Sequence, residues 1–340
     1  MSTITVRYWG GMGNVLFQIA AAIAYSNKLN RPFVLSKYPA FPNLENCSAS
    51  SIGITEEEYL ESLIEFNEDE IQGFTESVGR GKSAIFTGRK DDVGVLHENA
   101  NGVQFPVNQN IKLIGFFQDY RLFDEYKEQL FAITGIPVIR QSVIPIIELP
   151  AFVTRGLFLS DCETEITVSL HIRRGDYEQL ACYFLLLNQY YYKNALLHIA
   201  NKLLCDGNNK KIKILCFYEK KTTASCRKVI DALLSDHELA KYPFEYHHFN
   251  ELIEENLNRS VTDIEELAIM SQCKHHIIAN STYSWWSAYM NPDPNKIVCY
   301  PNEYFNHQLY YLVNDGLKVK EWTSITAWNP LELRCECHRQ

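Results

Sequence analysis

Apolar runs of strand length alternate with amphipathic runs of helix length along most of the chain. Before residue 140 the pattern predicts strands and helices over 4–9, 14–29, 33–35, 111–117 and 122–133. After residue 160 the predicted strands cover 166–172, 213–217, 244–249, 276–279 and 297–300. The predicted helices between these strands cover 190–204, 224–234, 263–272 and 283–290. Such alternation is typical of parallel sheets with crossover helices, so the sequence predicts the α/β fold class.

A break in this pattern predicts two domains. Gly135 and Pro137 interrupt it, and a length of 340 residues is typical of two domains. We place an N-terminal Rossmann-like domain over 1–150 and a C-terminal one over 151–340. Ligands of doubly wound domains bind at the carboxyl ends of the strands, so we expect them in a cleft between the two domains.

Composition and charge exclude several classes of protein. Hydrophobic residues make up 46% of the chain, which excludes a mainly disordered protein. A net charge of -9 argues against nucleic acid as a partner, because phosphate neutralisation needs a basic surface. No apolar run reaches the ~18 residues of a membrane-spanning helix, and no basic segment opens the chain, so we expect a cytoplasmic protein. Cys335, Cys337 and His338 lie near the end, but no second ligand cluster is close in sequence, so no metal site is expected.

A glycine-rich segment, Gly10-Gly11-Met12-Gly13-Asn14, separates the first strand from the first helix. Glycines let a ligand approach the backbone, and a helix N-terminus attracts an anion. No Gly-Lys-Ser or Gly-Lys-Thr follows, and Leu16 stands at the third glycine position of a dinucleotide fingerprint, so neither motif is present. The segment is either an anion-binding turn, with Gly11, Gly13 and Asn14 at the ligand, or only a tight strand-to-helix turn.

A second segment, His171-Ile172-Arg173-Arg174-Gly175-Asp176-Tyr177, ends the strand predicted over 166–172. Charged side chains that leave a buried strand need partners, because isolated buried charges are costly. A diphosphate is one such partner, since arginine binds phosphate oxygens in pairs. The alternative is an ion pair between arginine and aspartate within the segment.

A third segment, Asn280-Ser281-Thr282-Tyr283-Ser284-Trp285-Trp286, follows the strand predicted over 276–279 and begins a helix. Hydroxyl and backbone N–H groups at a helix start can bind an anion. The candidate residues are Asn280, Ser281, Thr282 and Ser284. The alternatives are helix caps for the hydroxyl residues and core packing for the tryptophans.

Together the three segments resemble the α-1,2-fucosyltransferases of glycosyltransferase family 11. The family's opening pattern, G-G-L-G-N-Q-M-F-Q-Y-A, is similar to residues 10–20, and its G-Y-F-Q element to residues 115–118. Its H-I-R-R-G-D-Y pattern is identical to 171–177, and its N-S-T-F-S-W-W-G-A pattern is similar to 280–288. The likeness keeps the family's order from residue 6 to about residue 305.

The resemblance implies a GT-B-like fold, with the donor on the C-terminal domain and the acceptor on the N-terminal side. It implies transfer of L-fucose from GDP-fucose to the 2-hydroxyl of a galactose-containing glycan, with inversion at the anomeric carbon and without metal or other cofactor. Two alternatives stay open. One is a GDP-sugar transferase with another donor or acceptor, and the other is a carbohydrate-binding module without activity.

For the site residues, the resemblance implies that Arg173 and Arg174 stabilise the departing diphosphate, because a fixed guanidinium neutralises charge without reorganising. His171 is expected at the nucleotide. Asp263, which otherwise only favours a helix N-terminus, is expected at guanine or ribose. Asp176 is either the general base for the acceptor hydroxyl or a clamp for Arg174.

The chain departs from the family's pattern at a few positions. Val15 and Leu16 replace Gln-Met, and Ser287 replaces glycine. Glu219 and Lys220 stand where the family has two aspartates, so Glu219 is the acid expected at guanine or ribose. These changes bear on the donor contacts and the choice of acceptor more than on the class of reaction.

Overall fold

In the computed structural model of the chain, residues 2–49, 55, 59, 63–67, 96–98, 104–106, 108–158, 165–204, 210–306 and 315–328 are described. They form two units, Met1–Pro137 and Val138–Gln340. Each unit contains a parallel sheet, so the predicted α/β fold class is confirmed. The assignment of donor and acceptor to the two domains stays a prediction, and Cys335 to His338 lie outside the described residues.

The first unit contains a three-stranded parallel sheet in the order β1-β5-β2. Its strands, with the antiparallel pair β3-β4, are β1 Ile4–Val6, β2 Leu63–Asn67, β3 Leu96–Glu98, β4 Gln104–Pro106 and β5 Asn110–Ile114. Helix α1, Met12–Leu29, follows β1, and α2, Lys127–Thr134, follows β5. Because β1 and β5 are parallel neighbours, the segments that follow them leave the sheet at the same edge.

Helix α1 is buried over most of its length, from Val15 to Ser26. Four alanines and long apolar side chains in this stretch allow burial on nearly all sides, unlike the one-sided stripe of a surface helix. Asn30 ends the helix in the left-handed region at φ 50°, and its N–H bonds back to the last turn. Val15 and Leu16, the two departures from the family's pattern, are both core residues.

The second unit contains a six-stranded parallel sheet in the order β11-β10-β9-β6-β7-β8. The strands are β6 Glu165–Ile172, β7 Lys211–Tyr218, β8 Phe244–His248, β9 His275–Ile277, β10 Val298–Pro301 and β11 Thr323–Ile325. The helices are α3 Ile136–Ser142, which begins before the division, α4 Ile144–Ile147, α5 Pro150–Val153, α6 Asp176–Gln179, α7 Gln189–Leu203, α8 Thr223–Leu234, α9 Phe249–Asn256, α10 Asp263–Met270 and α11 Thr282–Met290.

Both faces of this sheet are covered. Val168 and Ile214 belong to one core cluster, which includes side chains of α7 and α8. Leu215 and Phe217 belong to another, which includes side chains of α9 and α10. Since successive side chains of a strand point to opposite faces, the continuous apolar run of β7 fits a strand buried on both sides.

Several predicted elements differ in extent from the observed ones. The strand predicted over 33–35 is only a single bridge, from Phe33 to Ile4. The strand predicted over 4–9 ends at Val6, and the N–H of Trp9 donates to the side chain of Gln18. The helix predicted over 122–133 begins only at Lys127, after two short 3-10 turns.

In the part of the chain that is described, no single helix combines the length and apolar character needed to cross a membrane. One bent pair, residues 124–134 and 136–147 with 58° between them, meets that test by length and composition when the two helices are taken together.

A buried histidine network supports β9. The Asn291 amide donates to Nε2 of His276 at 2.9 Å, so Nδ1 carries the proton and donates to the Ser169 hydroxyl at 2.8 Å. Burial lowers the pKa of His276 far below its ordinary value, and the charge of His275 lowers it further. The folded protein therefore holds His276 neutral, whereas the unfolded chain binds a proton there below about pH 6.5.

We predict that the free energy of unfolding decreases as the pH falls below about 6.5, and that His276→Gln removes part of this dependence. Between about pH 6.5 and 5 the slope should become shallower by up to about 1.4 kcal/mol per pH unit. Urea unfolding at a series of pH values measures it. His237→Gln, at an exposed histidine, is the matched control and should keep the wild-type slope. An unchanged slope in His276→Gln would contradict the buried neutral state.

Candidate functional site

The carboxyl ends of β7, β6 and β9, which are adjacent strands, bring together most of the site residues predicted in the C-terminal unit. The second and third sequence segments are joined by a hydrogen bond of 3.0 Å, which the Tyr177 hydroxyl donates to the carbonyl of Asn280. The ring of His171 lies 5.7 Å from that of Tyr283, between centroids. Segments that are about a hundred residues apart in sequence thus form one edge.

Gly175 allows Glu219 to approach this edge. The glycine has φ 69° and ψ -120°, a backbone conformation that residues with a side chain rarely adopt. A Cβ atom at this position would lie 2.5 Å from Oε2 of Glu219. Lys221 pairs with the same carboxylate at 2.6 Å. The acid that replaces the family's aspartate therefore lies beside the arginine segment.

Arg173 is held on two sides. Its Nη2 lies 2.5 Å from Oδ1 of Asp176, and its guanidinium carbon lies 5.1 Å from the centroid of the Tyr177 ring. The Nε atom is buried and has no hydrogen-bond partner within the described part of the chain. About a third of the side chain, 32%, is exposed, so the guanidinium can be reached from solvent.

Arg174 is committed to the backbone. Its side chain is 7% exposed and donates to the carbonyls of Arg173 at 2.9 Å and Leu187 at 2.8 Å. These bonds stabilise the loop that carries Arg173. The sequence suggested Asp176 as a clamp for Arg174, but in the structure Asp176 pairs with Arg173. The ion pair of Arg174 is with Glu178, whose Oε1 lies 3.9 Å from Nε of Arg174.

His171 is a buried, neutral histidine. Burial, and next the charge of Arg173, lower the pKa of its imidazole to about 3. Its Nδ1 is buried and lacks a partner among the described residues. The Tyr192 hydroxyl donates to the His171 carbonyl at 3.0 Å and holds the end of the strand in place. At neutral pH this imidazole can accept or donate one further hydrogen bond without adding charge.

Glu266 is a candidate that the sequence analysis missed. The Tyr283 hydroxyl donates to the carbonyl of Asp263 at 2.7 Å and lies 3.3 Å from Oε1 of Glu266. Burial raises the pKa of Glu266 to about 7, and the Asp263 charge adds to this rise. Asp263, the residue that was expected here, is exposed, and it contacts Tyr283 only through its backbone carbonyl in these hydrogen bonds. Glu266 lies three residues after Asp263, on the same face of the predicted helix, and this spacing is the sequence signal that could have identified it.

The third segment is tied into its surroundings. Asn280 donates its amide hydrogens to the carbonyls of Leu185 and Tyr304, each at 2.8 Å. Ser281 caps α11 through the N–H of Tyr283. The N–H of Ala279 donates to the Ser284 hydroxyl at 3.2 Å. Ser281 therefore caps the helix, as the capping alternative describes for Ser281 or Thr282, and Asn280 and Ser284 stabilise the turn before it.

Two further hydroxyl residues of α11, Thr282 and Ser287, differ in how deeply they are buried. Thr282 is its first residue and is partly buried. Ser287 is fully buried and donates to the Ser284 carbonyl at 2.8 Å, one turn earlier. The hydroxymethyl side chain of Ser287, at the position where the family has glycine, is therefore accommodated by a hydrogen bond within the helix itself.

In the N-terminal unit the glycine-rich segment forms an open turn at the carboxyl edge of β1. Gly10 has φ 78°, and nothing lies within 4 Å of the place where a Cβ of Gly11 would be. Gly13 is buried in the first turn of α1, and Asn14 accepts a hydrogen bond of 3.0 Å from the Gln118 amide. The turn thus joins the glycine-rich segment to the G-F-F-Q segment.

Among the described residues, no group of three or more histidine, cysteine, aspartate or glutamate side chains is arranged to hold a metal ion.

The profile described as glycosyl transferase family 11 matches residues 151–326 of the chain. An O-antigen biosynthesis glycosyltransferase, WbnK of Escherichia coli, is 25% identical over 87% of this chain and 93% of its own length. An alpha-1,2-colitosyltransferase, also of Escherichia coli, is 25% identical over 91% of this chain and 94% of its own length.

Two solved structures are also similar. NodZ alpha-1,6-fucosyltransferase soaked with GDP-fucose has a TM-score of 0.40 and 12% identity, over 86% of this chain and 94% of that one. FUT1 of Arabidopsis thaliana with GDP has a TM-score of 0.37 and 10% identity, over 87% of this chain and 70% of that one. The match of the family profile spans more than half of the chain, from before β6 to the end of β11. The chain belongs to glycosyltransferase family 11.

Proposed function

We propose that the protein transfers L-fucose from GDP-fucose to the 2-hydroxyl of a galactose residue in a glycan, with inversion and without a metal ion. The observation that carries this proposal is the unchanged segment 171–177 at a strand edge, with a reachable guanidinium and two buried polar atoms without partners. Buried polar atoms are almost always hydrogen-bonded in native proteins, so exceptions at one edge favour a polar ligand.

The donor diphosphate is assigned to Arg173. As the bond between fucose and the diphosphate breaks, negative charge develops on the departing phosphate oxygen. A guanidinium held by Asp176 and Tyr177 stabilises that charge without large reorientation. This charge compensation supplies what a divalent cation provides in metal-dependent transferases, so the proposed reaction needs none.

The nucleoside is assigned to the neighbouring polar groups. His171, neutral at physiological pH, offers an unpartnered nitrogen. Glu219 beside Gly175 and the Glu266–Tyr283 pair offer carboxylate oxygens, the acceptors that match the N–H groups of guanine and the hydroxyls of ribose. Gly11, Gly13 and Asn14 are proposed at the donor from the N-terminal unit.

Asp176 is the proposed acid–base residue nearest to Arg173. More than half of its carboxylate, 56%, is exposed, so an acceptor hydroxyl can approach it. Its ion pair with Arg173 holds the carboxylate beside the proposed diphosphate site, where it would accept the proton of the acceptor hydroxyl.

The colitosyltransferase among the relatives supports a second candidate for the donor. The shared class is a GDP-linked sugar, and a colitosyl donor is the specific alternative to a fucosyl one. The two are distinguished by the assay described next.

We predict acceptor-dependent release of GDP from GDP-fucose in the presence of EDTA, with lactose and type 1 and type 2 disaccharides as acceptors. NMR of the product should show an α-1,2 linkage. GDP-mannose and GDP-colitose serve as alternative donors. Faster release from GDP-colitose would replace the fucosyl donor, and tight GDP binding without any transfer would favour a carbohydrate-binding module.

We predict that Arg173→Ala lowers kcat by about 100-fold or more, because it removes the group that stabilises the leaving phosphate. Arg173→Lys should recover only part of this loss, since a lysine cannot bind two oxygens at once. Arg155→Ala, at a surface arginine of the same unit paired with Glu255, is the matched control and should keep wild-type activity. Wild-type turnover in Arg173→Ala would exclude the phosphate function.

A further inference from the structure

Two large aromatic side chains lie exposed side by side in the N-terminal unit. Trp9 is 43% exposed and Phe116 is 40% exposed. Their rings are stacked, with centroids 5.1 Å apart and planes inclined by 27°. Trp9 follows β1 and Phe116 follows β5, so this Trp9–Phe116 stack lies at the carboxyl edge of the sheet, beside the glycine-rich turn.

The backbone that carries the stack is held rigidly by one buried residue. Gln18 of α1 is fully buried. Its Oε1 accepts from the N–H of Trp9 at 3.1 Å, and its Nε2 donates to the carbonyl of Gly115 at 3.1 Å. A single side-chain amide thus holds the backbone that follows both β1 and β5, and the stack is organised before any ligand binds.

The local backbone also directs Phe116 outward. Phe117 has φ 50°, which is an uncommon conformation for a bulky residue, and its side chain is fully buried. A strained residue of this kind persists only where the surrounding structure holds it. The consequence is that one phenylalanine fills the core while the preceding one stays at the surface.

The size of the stack fits a sugar better than a protein. With 43% and 40% of the two side chains exposed, it presents on the order of 200 Å². A stable protein interface needs roughly 800 Å² from each partner. Because the two rings are stacked on each other, they offer a ligand the outer face of a ring and the exposed ring edges, and one ring face is about the size of a pyranose face.

Polar groups lie around the stack. The guanidinium of Arg7, an exposed residue, lies 5.8 Å from the centroid of the Trp9 ring. Gln118, two residues after Phe116, donates its amide to Asn14 at 3.0 Å. An apolar surface with a rim of planar donors is the arrangement that fixes a ligand's orientation.

We propose that the Trp9–Phe116 stack binds the galactose ring of the acceptor, an inference that rests on the proposed function. In β-galactose the axial 4-hydroxyl leaves the hydrogens of C3, C4 and C5 on one face, which forms an apolar surface. The 2-hydroxyl is equatorial and stays at the ring edge when this face contacts an aromatic ring. Glucose lacks this C3–C4–C5 patch because its C4 hydrogen points to the opposite face.

The test compares Trp9→Leu, which removes the aromatic face, with Trp9→Phe, which keeps it. Saturation-transfer NMR with lactose needs no catalysis and comes first. We expect the C3, C4 and C5 hydrogens of galactose to receive saturation in the wild type and in Trp9→Phe, and to lose it in Trp9→Leu. Cellobiose, which ends in glucose, should show little transfer in any of them.

Kinetics gives the second readout. In Trp9→Leu the KM for lactose should rise about 10-fold, with an unchanged KM for GDP-fucose and unchanged GDP affinity. Leu234→Ala, at an exposed apolar residue of α8, is the control for a general surface effect and should match the wild type. Thermal unfolding of each variant checks that it is folded.

The outcomes separate the two proposals. Lactose binding through galactose that is lost in Trp9→Leu supports the stack even if the wild type transfers no fucose, and in that case the proposed function alone fails. Transfer by the wild type with unchanged binding and KM in Trp9→Leu overturns the stack alone. A parallel loss of GDP affinity in Trp9→Leu also overturns it, because the stack then serves the nucleotide.

Discussion

Parallel pairing of β6 with β7 on one side and β9 on the other is the constraint on which the C-terminal unit depends. It directs three chain segments out of the sheet at one edge, where their polar residues meet. The buried strands allow few polar groups, so most polar side chains that leave them are tied to the backbone or to one another. Arg174 and Asn280 donate to backbone carbonyls, and Asp176 pairs with Arg173. His171 and Arg173 each retain one buried nitrogen without a hydrogen-bond partner among the described residues.

The pairing also explains why a glycine is needed beside the arginines. Gly175 gives the chain a sharp turn directly after the arginine pair, and the absence of a Cβ admits the Glu219 carboxylate. Tyr177 then lies under Arg173 and reaches Asn280. Each of these residues therefore has a separate structural function, and the guanidinium of Arg173 is held by its contacts with Asp176 and Tyr177.

The N-terminal unit follows the same logic with different chemistry. Its sheet edge carries glycines, amides and the exposed aromatic stack, in place of paired charges. Gln18 is important there because its fully buried amide bonds to the N–H of Trp9, after β1, and to the carbonyl of Gly115, after β5. A charged residue at its position would be costly, whereas an amide satisfies a donor and an acceptor at once.

The sequence by itself determined the fold class, the family and the identity of the segments at the sheet edges. Alternating apolar runs are enough for the fold class, because strand and helix periods are local properties. The family followed from the resemblance of the motifs at 10–20, 171–177 and 280–288. The pattern was less able to set element ends: nothing local in the run over 4–9 shows that β1 stops at Val6 or that the N–H of Trp9 donates to Gln18 on the next helix.

The sequence analysis favoured Arg173 over Arg174 for the diphosphate, and only the tertiary structure shows how the contacts of these two adjacent arginines differ. Arg173 and Arg174 are the same residue type in adjacent positions. What distinguishes them is that Arg174 donates to the carbonyl of Leu187, thirteen residues further along the chain. In the same way, the hydroxyl of Tyr283 brings in Glu266 and not the side chain of Asp263. Partners across a sheet edge come from strand order and helix rotation, and these depend on packing over the whole unit.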